Sequence, residues 1–169
     1  MDVGMTAKSP RESHTALERL VLPGDTNTFN ALYGGRLLEW VDNVASIVAT
    51  KHSRRHTVTG SIDSLFFLSP IRLGDIVRME GRINYVTTST MEIEVDVLSE
   101  ESLTGIRKVT TKAFLTYVAV DEDGKPTPVP RLKLSTKVER MRFKDGAKRS
   151  ELRLRRLTEV KKSIKESRS

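Results

Sequence analysis

Four segments in the middle of the chain follow one another as strand patterns, and a single long helical pattern stands in front of them. Residues 75–86 place Val77, Met79, Ile83 and Tyr85 on one face and Arg78, Glu80 and Arg82 on the other. Residues 90–98 alternate more strictly, with Met91, Ile93, Val95 and Val97 against Glu92, Glu94 and Asp96. Flanking them, 57–68 (TVTGSIDSLFFL) stops before Pro70 and the Gly74-Asp75 turn, and 107–120 (RKVTTKAFLTYVAV) stops before the turn DEDGKPTP. A period of two with one charged face indicates antiparallel strands covered on one side only. Ahead of them, residues 34–51 carry Leu37, Leu38, Val41, Ala45 and Val48 at helical spacing, a helix of about 27 Å. Residues 15–21 (TALERLV) form one more short strand. One helix cannot cover both faces of such a sheet. The economical fold is α+β, an antiparallel sheet curled around one central helix, with the other sheet edge and leftover apolar surface hidden by self-association.

Composition narrows the chemistry. With 169 residues the chain fits one domain with a working core, and it has no cysteine, which removes disulfides, thiolate nucleophiles and Cys-based metal sites. His14, His52 and His56 are too scattered for a metal site, and His52 and His56 read as surface loop residues. The stretch MDVGMTAKSPRES has no apolar h-region, and no apolar run approaches the roughly 18 residues of a membrane span. A cytoplasmic location is expected.

The net charge of +7 is unevenly divided. Residues 131–169 hold 15 basic and 5 acidic side chains, net +10, and the rest holds 14 basic against 17 acidic, net −3. The basic character therefore belongs to a tail. Thr136 with Glu139 makes a capping box, Asp145-Gly146 suggests a break between two short helices, and Leu157, Val160 and Ile164 share one helical face. With Phe143 as its one aromatic, the tail offers little for base stacking, so nucleic acid is not the expected partner. A solvated helix, or one packed on a neighbouring subunit, is. The chain divides into a flexible N-terminus (1–13), a domain (14–130) and a basic helical tail (131–169).

The chemistry concentrates at 24–45, GDTNTFNALYGGRLLEWVDNVA. The helix opens on Gly34 and Gly35, where unpaired N–H groups and the positive end of the macrodipole can meet a carbonyl oxygen or an anion, or where the helix end simply packs tightly on a strand. Asp42, two turns further on beside the apolar stripe, suits a general base or nucleophile, or else a structural ion pair. Asn27 sits in the preceding loop as a turn former. Phe66, Phe67 and Leu68 read as core.

Taken in order, D-T-N-x-x-x-x-x-Y-G-G-x-x-x-x-x-x-D, S-I-D-S-L-F-F-L-S-P-I-R-L-G-D, T-S-T-M-E-I-E-V and A-F-L-T-Y-V-A-V-D-E-D-G-K-P resemble the acyl-CoA thioesterases of the hotdog fold, in the group of bacterial short-to-medium-chain and brain-type acyl-CoA hydrolases. The resemblance covers about residues 14–130. It implies hydrolysis of fatty acyl-CoA to free fatty acid and coenzyme A without metal or cofactor, the alternative being a hotdog module that senses acyl-CoA without cleaving it. It places catalysis on Asp42, Asn27 and the Gly35 N–H, with Gly34 beside them. It also implies a homodimer with sites shared between subunits, assembled as a trimer of dimers. For the coenzyme A portion it points to Arg54, Arg55, Ser64, Thr88, Ser89 and Lys108. Tyr33 departs from the His or Phe common before the glycine pair and leaves chain-length preference open. Asn30 stands where relatives often have a loop glycine, being the side chain that best tolerates a left-handed backbone.

Overall fold

A computed structural model describes residues 5–167. Its elements are β1 (Thr15–Leu20), α1 (Gly34–Ser53), β2 (His56–Phe67), β3 (Ile76–Val86), β4 (Thr90–Glu100), β5 (Arg107–Val120) and α2 (Lys137–Glu166), with short 3-10 turns at Pro10–Glu12 and Pro23–Asp25. The strands form one antiparallel sheet in the order β1-β3-β4-β5-β2. α1 lies across the inner face, as the hotdog expectation requires. Val41, Val44, Ala45, Val48 and Ala49 are fully buried, as are Val77, Met79, Met91, Ile93, Val95, Val97, Ala113, Leu115 and Ala119. Each buried branched side chain contributes about 1.5–3 kcal/mol, so this face dominates stability. Asn30 has φ 55°, in the left-handed region expected of it.

The outer face differs from expectation. Alternation placed Glu92 and Glu94 in solvent, yet they are 1% and 4% exposed. α2 covers them. Arg149 reaches Glu92 Oε1 at 2.7 Å and Arg153 reaches Asp63 at 2.9 Å. Burial pushes the Glu92 carboxyl up, against the opposing pull of Arg149. Burial would also raise Glu94, but hydrogen bonds from Lys112 and Asn84 hold it below the usual carboxylate range. The basic tail thus neutralises acids of its own sheet. Tyr85 is displaced as well: a register shift between Ile83 and Tyr85 turns its ring from the α1 side to α2, where it meets Phe143 edge-on at 4.9 Å.

The tail is one helix of 30 residues, started by the expected Thr136–Glu139 capping box and unbroken at Asp145-Gly146. Gly146 serves close approach instead of a turn. A Cβ there would stand 2.7 Å from Tyr85 Cβ and 2.9 Å from Glu92 Oε1. Gly146→Ala should therefore destabilise the protein by about 1–3 kcal/mol, although alanine is favoured over glycine inside a helix by about 1 kcal/mol. A raised Tm in thermal unfolding would show that α2 does not seat this closely.

Two further expectations are corrected. Residues 8–13, taken as part of a flexible N-terminus, are pinned: Lys8 exchanges backbone bonds with Arg131 and Lys133 (2.9 and 2.8 Å), and Pro10 and Ser13 are buried. Residues 1–4 lie outside the described residues. His52 is no surface residue; it is 1% exposed, and its Nε2–H donates to the Pro130 carbonyl at 2.8 Å. His56 is exposed, as expected, but begins β2. Burial holds the His52 imidazole below its ordinary 6.5. The unfolded chain then takes up this proton more readily than the fold, so the stability His52 contributes is complete above pH 6.5 and is lost as pH falls through the folded-state value. Melting curves from pH 7.5 to 5 should show Tm falling, with that slope reduced in His52→Gln. An unchanged slope in the variant would remove His52 from the acid response. No helix among the described residues is long and apolar enough to cross a membrane.

Candidate active site

Asp42 sits half-buried on α1 where the helix passes the inner side of β5 and the edge strand β2. Its Oδ1 accepts a 2.6 Å hydrogen bond from the Tyr117 hydroxyl and a 3.1 Å bond from Thr59 Oγ1. Tyr117 also donates to the Asp42 backbone carbonyl at 2.9 Å. Thr59 and Tyr117 are register partners on β2 and β5, so the sheet itself aims both hydroxyls at this carboxylate. Burial, then the hydrogen bond to Asp42, pushes the Tyr117 phenol further above its ordinary value of 10.0, which keeps it a donor. Neither hydroxyl was singled out from sequence. The signal was present for Tyr117: it shares a strand face with Ala113, Leu115 and Ala119, and a buried phenol needs a polar partner.

The amino end of α1 is stripped of side chains and roofed by rings. Tyr33 stands at the N-cap without a side-chain cap bond to the helix, and the first helical bond runs from Leu37 N–H to the Tyr33 carbonyl at 3.0 Å. The N–H groups of Gly34, Gly35 and Arg36 therefore lack intrahelical acceptors. A Cβ on Gly35 would lie 2.6 Å from the Tyr33 ring, and one on Gly34 would lie 3.3 Å from Phe67. Close packing against a strand residue is thus real at Gly34, alongside N–H groups that have no intrahelical acceptor. Phe66, Phe67 and Leu68 were expected in the core but are 57–66% exposed: they lie at the carboxyl end of β2, the edge strand of the sheet, and no other strand of the described residues pairs with its outer edge.

Asn27 anchors the loop. Its N–H bonds the Ala31 carbonyl at 2.8 Å, and its Oδ1 accepts from Phe29 and Ala31 N–H groups at 2.9 and 3.2 Å. With Oδ1 committed, the side chain can offer only its Nδ2 hydrogens elsewhere.

The remaining expected positions fall into separate places. Arg54 and Arg55 directly follow α1 and, with Thr50, Asp121, Glu122 and Asp123, line an open cleft of about 810 Å3 whose charge is mixed. Thr88 and Ser89, in the β3–β4 turn, lie at this same end, Ser89 accepting from Ala119 N–H and Thr88 from Val129 N–H, both at 2.9 Å. Lys108 begins β5 at the opposite end, near Leu68, whose N–H bonds the Thr110 carbonyl. Ser64 pairs in register with Phe114, whose ring lies 4.0 Å under Arg149, so Ser64 is on the outer face, away from Asp42. One chain therefore gathers Asp42, Thr59 and Tyr117, and separately the α1 start. It does not bring the two groups together: Asp42 stands eight positions after Gly34, about 12 Å of helix.

The family model described as Thioesterase superfamily matches residues 29–106. An uncharacterized acyl-CoA thioester hydrolase of Bacillus subtilis, YkhA, is 43% identical over 86% of this chain and 85% of that protein. A solved apo-hexameric acyl-CoA thioesterase is 40% identical with a TM-score of 0.85, over 89% of this chain and 97% of that one. The acyl-CoA hydrolase of Staphylococcus aureus, solved with butyryl coenzyme A, coenzyme A and coenzyme A disulfide, is 34% identical with a TM-score of 0.90, over 96% and 99%. Three further structures of that enzyme replace an asparagine, an aspartate 15 positions later and a threonine 17 positions after that with alanine. Sequence likeness over most of the chain and the shared sheet-and-helix fold agree: the chain belongs to the thioesterase superfamily, as an acyl-CoA thioester hydrolase.

Proposed function

We propose that this chain cleaves fatty acyl-CoA to free fatty acid and coenzyme A at a site built from Asp42 of one copy and from Asn27 and the α1 amino end of a second copy. The observation that carries the site is the Asp42 carboxylate, fixed through Oδ1 by Tyr117 and Thr59. The carboxylate takes a proton from water attacking the thioester carbon, or attacks that carbon itself. The carbonyl oxygen, as it gains charge, meets the Gly35 N–H and the helix dipole. As the carbon–sulfur bond breaks, Asp42 returns the proton to sulfur, which leaves as the thiol of coenzyme A, and the acyl group leaves as the acid. Where Asp42 attacks directly, coenzyme A leaves first as thiolate and takes a proton from water, and a water then cleaves the acyl–Asp42 anhydride, freeing the carboxylate. Asn27, limited to donating through Nδ2, holds the water or the carbonyl. The alanine variants of the Staphylococcus aureus enzyme support this choice, since intervals of 15 and 17 also separate Asn27, Asp42 and Thr59.

The two-copy site rests on two features. The Gly35 donor and the Asp42 base are about 10 Å apart along the helix axis, too far for one thioester carbonyl to meet both within a chain. And none of the 12 residues of the edge strand β2 is buried, although β5 beside it is core. Two copies joining along β2 would cover Ile62 and Phe67 and bring each α1 start toward the other's Asp42. A trimer of such dimers follows the hexameric relative. Arg54, Arg55, Thr88, Ser89 and Lys108, split between the two ends of one chain, then converge on coenzyme A phosphates only across copies. Residues 14–130 form the catalytic unit in this reading and 131–169 an appended arm.

A thiol-release assay from acetyl to palmitoyl coenzyme A tests the reaction. Turnover on at least some chain lengths is expected. Tight binding with no thiol released on any would make the chain a sensor.

A further inference from the structure

α2 does not stop where the sheet stops. Its contacts step across the outer face strand by strand: Phe143 meets Tyr85 of β3, Arg149 holds Glu92 of β4 and covers the Phe114 ring of β5, and Arg153 pairs with Asp63 of β2. Ten residues from 143 to 153 rise about 15 Å, and three strand spacings amount to about 14 Å. The helix therefore runs nearly square to the strands. From Arg153 to Glu166 it continues for about 20 Å, some four strand widths past the last strand.

The docking face continues in phase over this overhang. Gly146, Ser150, Arg153, Leu157, Val160 and Ile164 succeed one another at intervals of 4, 3, 4, 3 and 4 residues, which keeps them on one side of a helix. Gly146 and Ser150 are buried on the sheet, whereas Leu157, Val160 and Ile164 are 45–54% exposed with no sheet beneath them. On the sheet side, the outward face of β2 carries two exposed apolar residues, Val58 and Phe66, in register with Val118 and Lys112.

We infer that the distal half of α2 is an intersubunit strap: Leu157, Val160 and Ile164 of one copy lie on the outer face of the second copy's sheet, against its Val58 or Phe66. This rests on the edge-to-edge pairing proposed above. If β2 of a second copy extends the sheet, the overhang already runs in the direction and at the height of that copy's outer face. The strands are 11–14 residues long beyond β1, roughly 36–48 Å, and hold two antiparallel helices of about 10–12 Å side by side. The seam is a narrow one with Arg153 in its line and Lys161 beside it, suited to a flat protein surface and not to the broad apolar face of a helix lying in a bilayer.

The lack of native cysteine allows a direct test. Chains carrying Val160→Cys are mixed and re-assembled with chains carrying Phe66→Cys or Val58→Cys, then oxidised. A disulfide-linked heterodimer with one of the two is expected, and none with Leu20→Cys on the opposite edge. In parallel, Leu157→Asp/Val160→Asp/Ile164→Asp should weaken dimerisation at least about tenfold by sedimentation, with unchanged circular dichroism, since all three side chains are exposed in the single chain. No cross-link together with unchanged dimerisation overturns the strap. If Ile62→Asp still splits that dimer, the β2 pairing survives alone. A wild-type chain that sediments as a monomer removes both. Binding to phosphatidylserine vesicles that is lost in the triple variant, with dimerisation intact, would assign the face to lipid and also overturn the strap.

Discussion

Asp42→Asn is expected to lower kcat by at least about 100-fold while leaving the affinity for coenzyme A within about twofold. The substitution keeps size and shape, and its Oδ1 can still accept from Tyr117 and Thr59 at the positions now filled by carboxylate oxygen. What it removes is the group that, in the proposed reaction, accepts a proton or attacks carbon. No neighbour can replace it: Tyr117 stays protonated, and Thr59 is a neutral hydroxyl. In the proposed site the carboxylate faces the reacting carbon and not the nucleotide, so a loss confined to kcat is the expected signature. Steady-state kinetics with product inhibition by coenzyme A separates the two quantities. Near-normal turnover in a folded Asp42→Asn protein would show that catalysis runs elsewhere.

The inner face of the sheet was legible because alternation and helical spacing report burial directly. Val77 to Val97 and Val41 to Val48 had no other place to go. The outer face was misread for a specific reason. Alternation states that Glu92 and Glu94 leave the α1 side, but it carries no information about a helix whose Arg149 and Arg142, 57 and 48 positions later, arrive to neutralise them. Gly146 was misread as a stop because glycine ends helices and also lets them approach, and only its seating on Tyr85 Cβ and the Glu92 carboxylate decides between the two. Phe66 and Phe67 looked like core because hydrophobicity does not tell a buried strand from an edge awaiting a partner. At the site, Asp42 and the glycine pair stood out as breaks in helical pattern. Thr59 did not, since a threonine in a strand is ordinary; its significance is the register that puts it opposite Tyr117.

Mixing Asn27→Ala and Asp42→Asn chains should restore about a quarter of wild-type activity, although each variant alone is impaired about tenfold or more. The argument is one of counting. Random reassembly makes half of the dimers mixed. In a mixed dimer, one site combines Asp42 from the first chain with Asn27 from the second and is intact, while the other carries both lesions. Half the dimers with one good site in two gives a quarter of the sites. If both residues served a site within one chain, every site would carry one lesion and mixing would restore nothing. The geometry favours the first outcome: Asn27 is fixed in its loop through Oδ1, ahead of an α1 start that lies about 12 Å along the axis from Asp42. Asp42 in turn is tied to Thr59 on β2, the strand whose free edge would meet a partner. Mass spectrometry of chains labelled at different masses verifies the remixing. With remixing verified, activity that stays at the level of the separate variants would place Asn27 and Asp42 in the same chain's site.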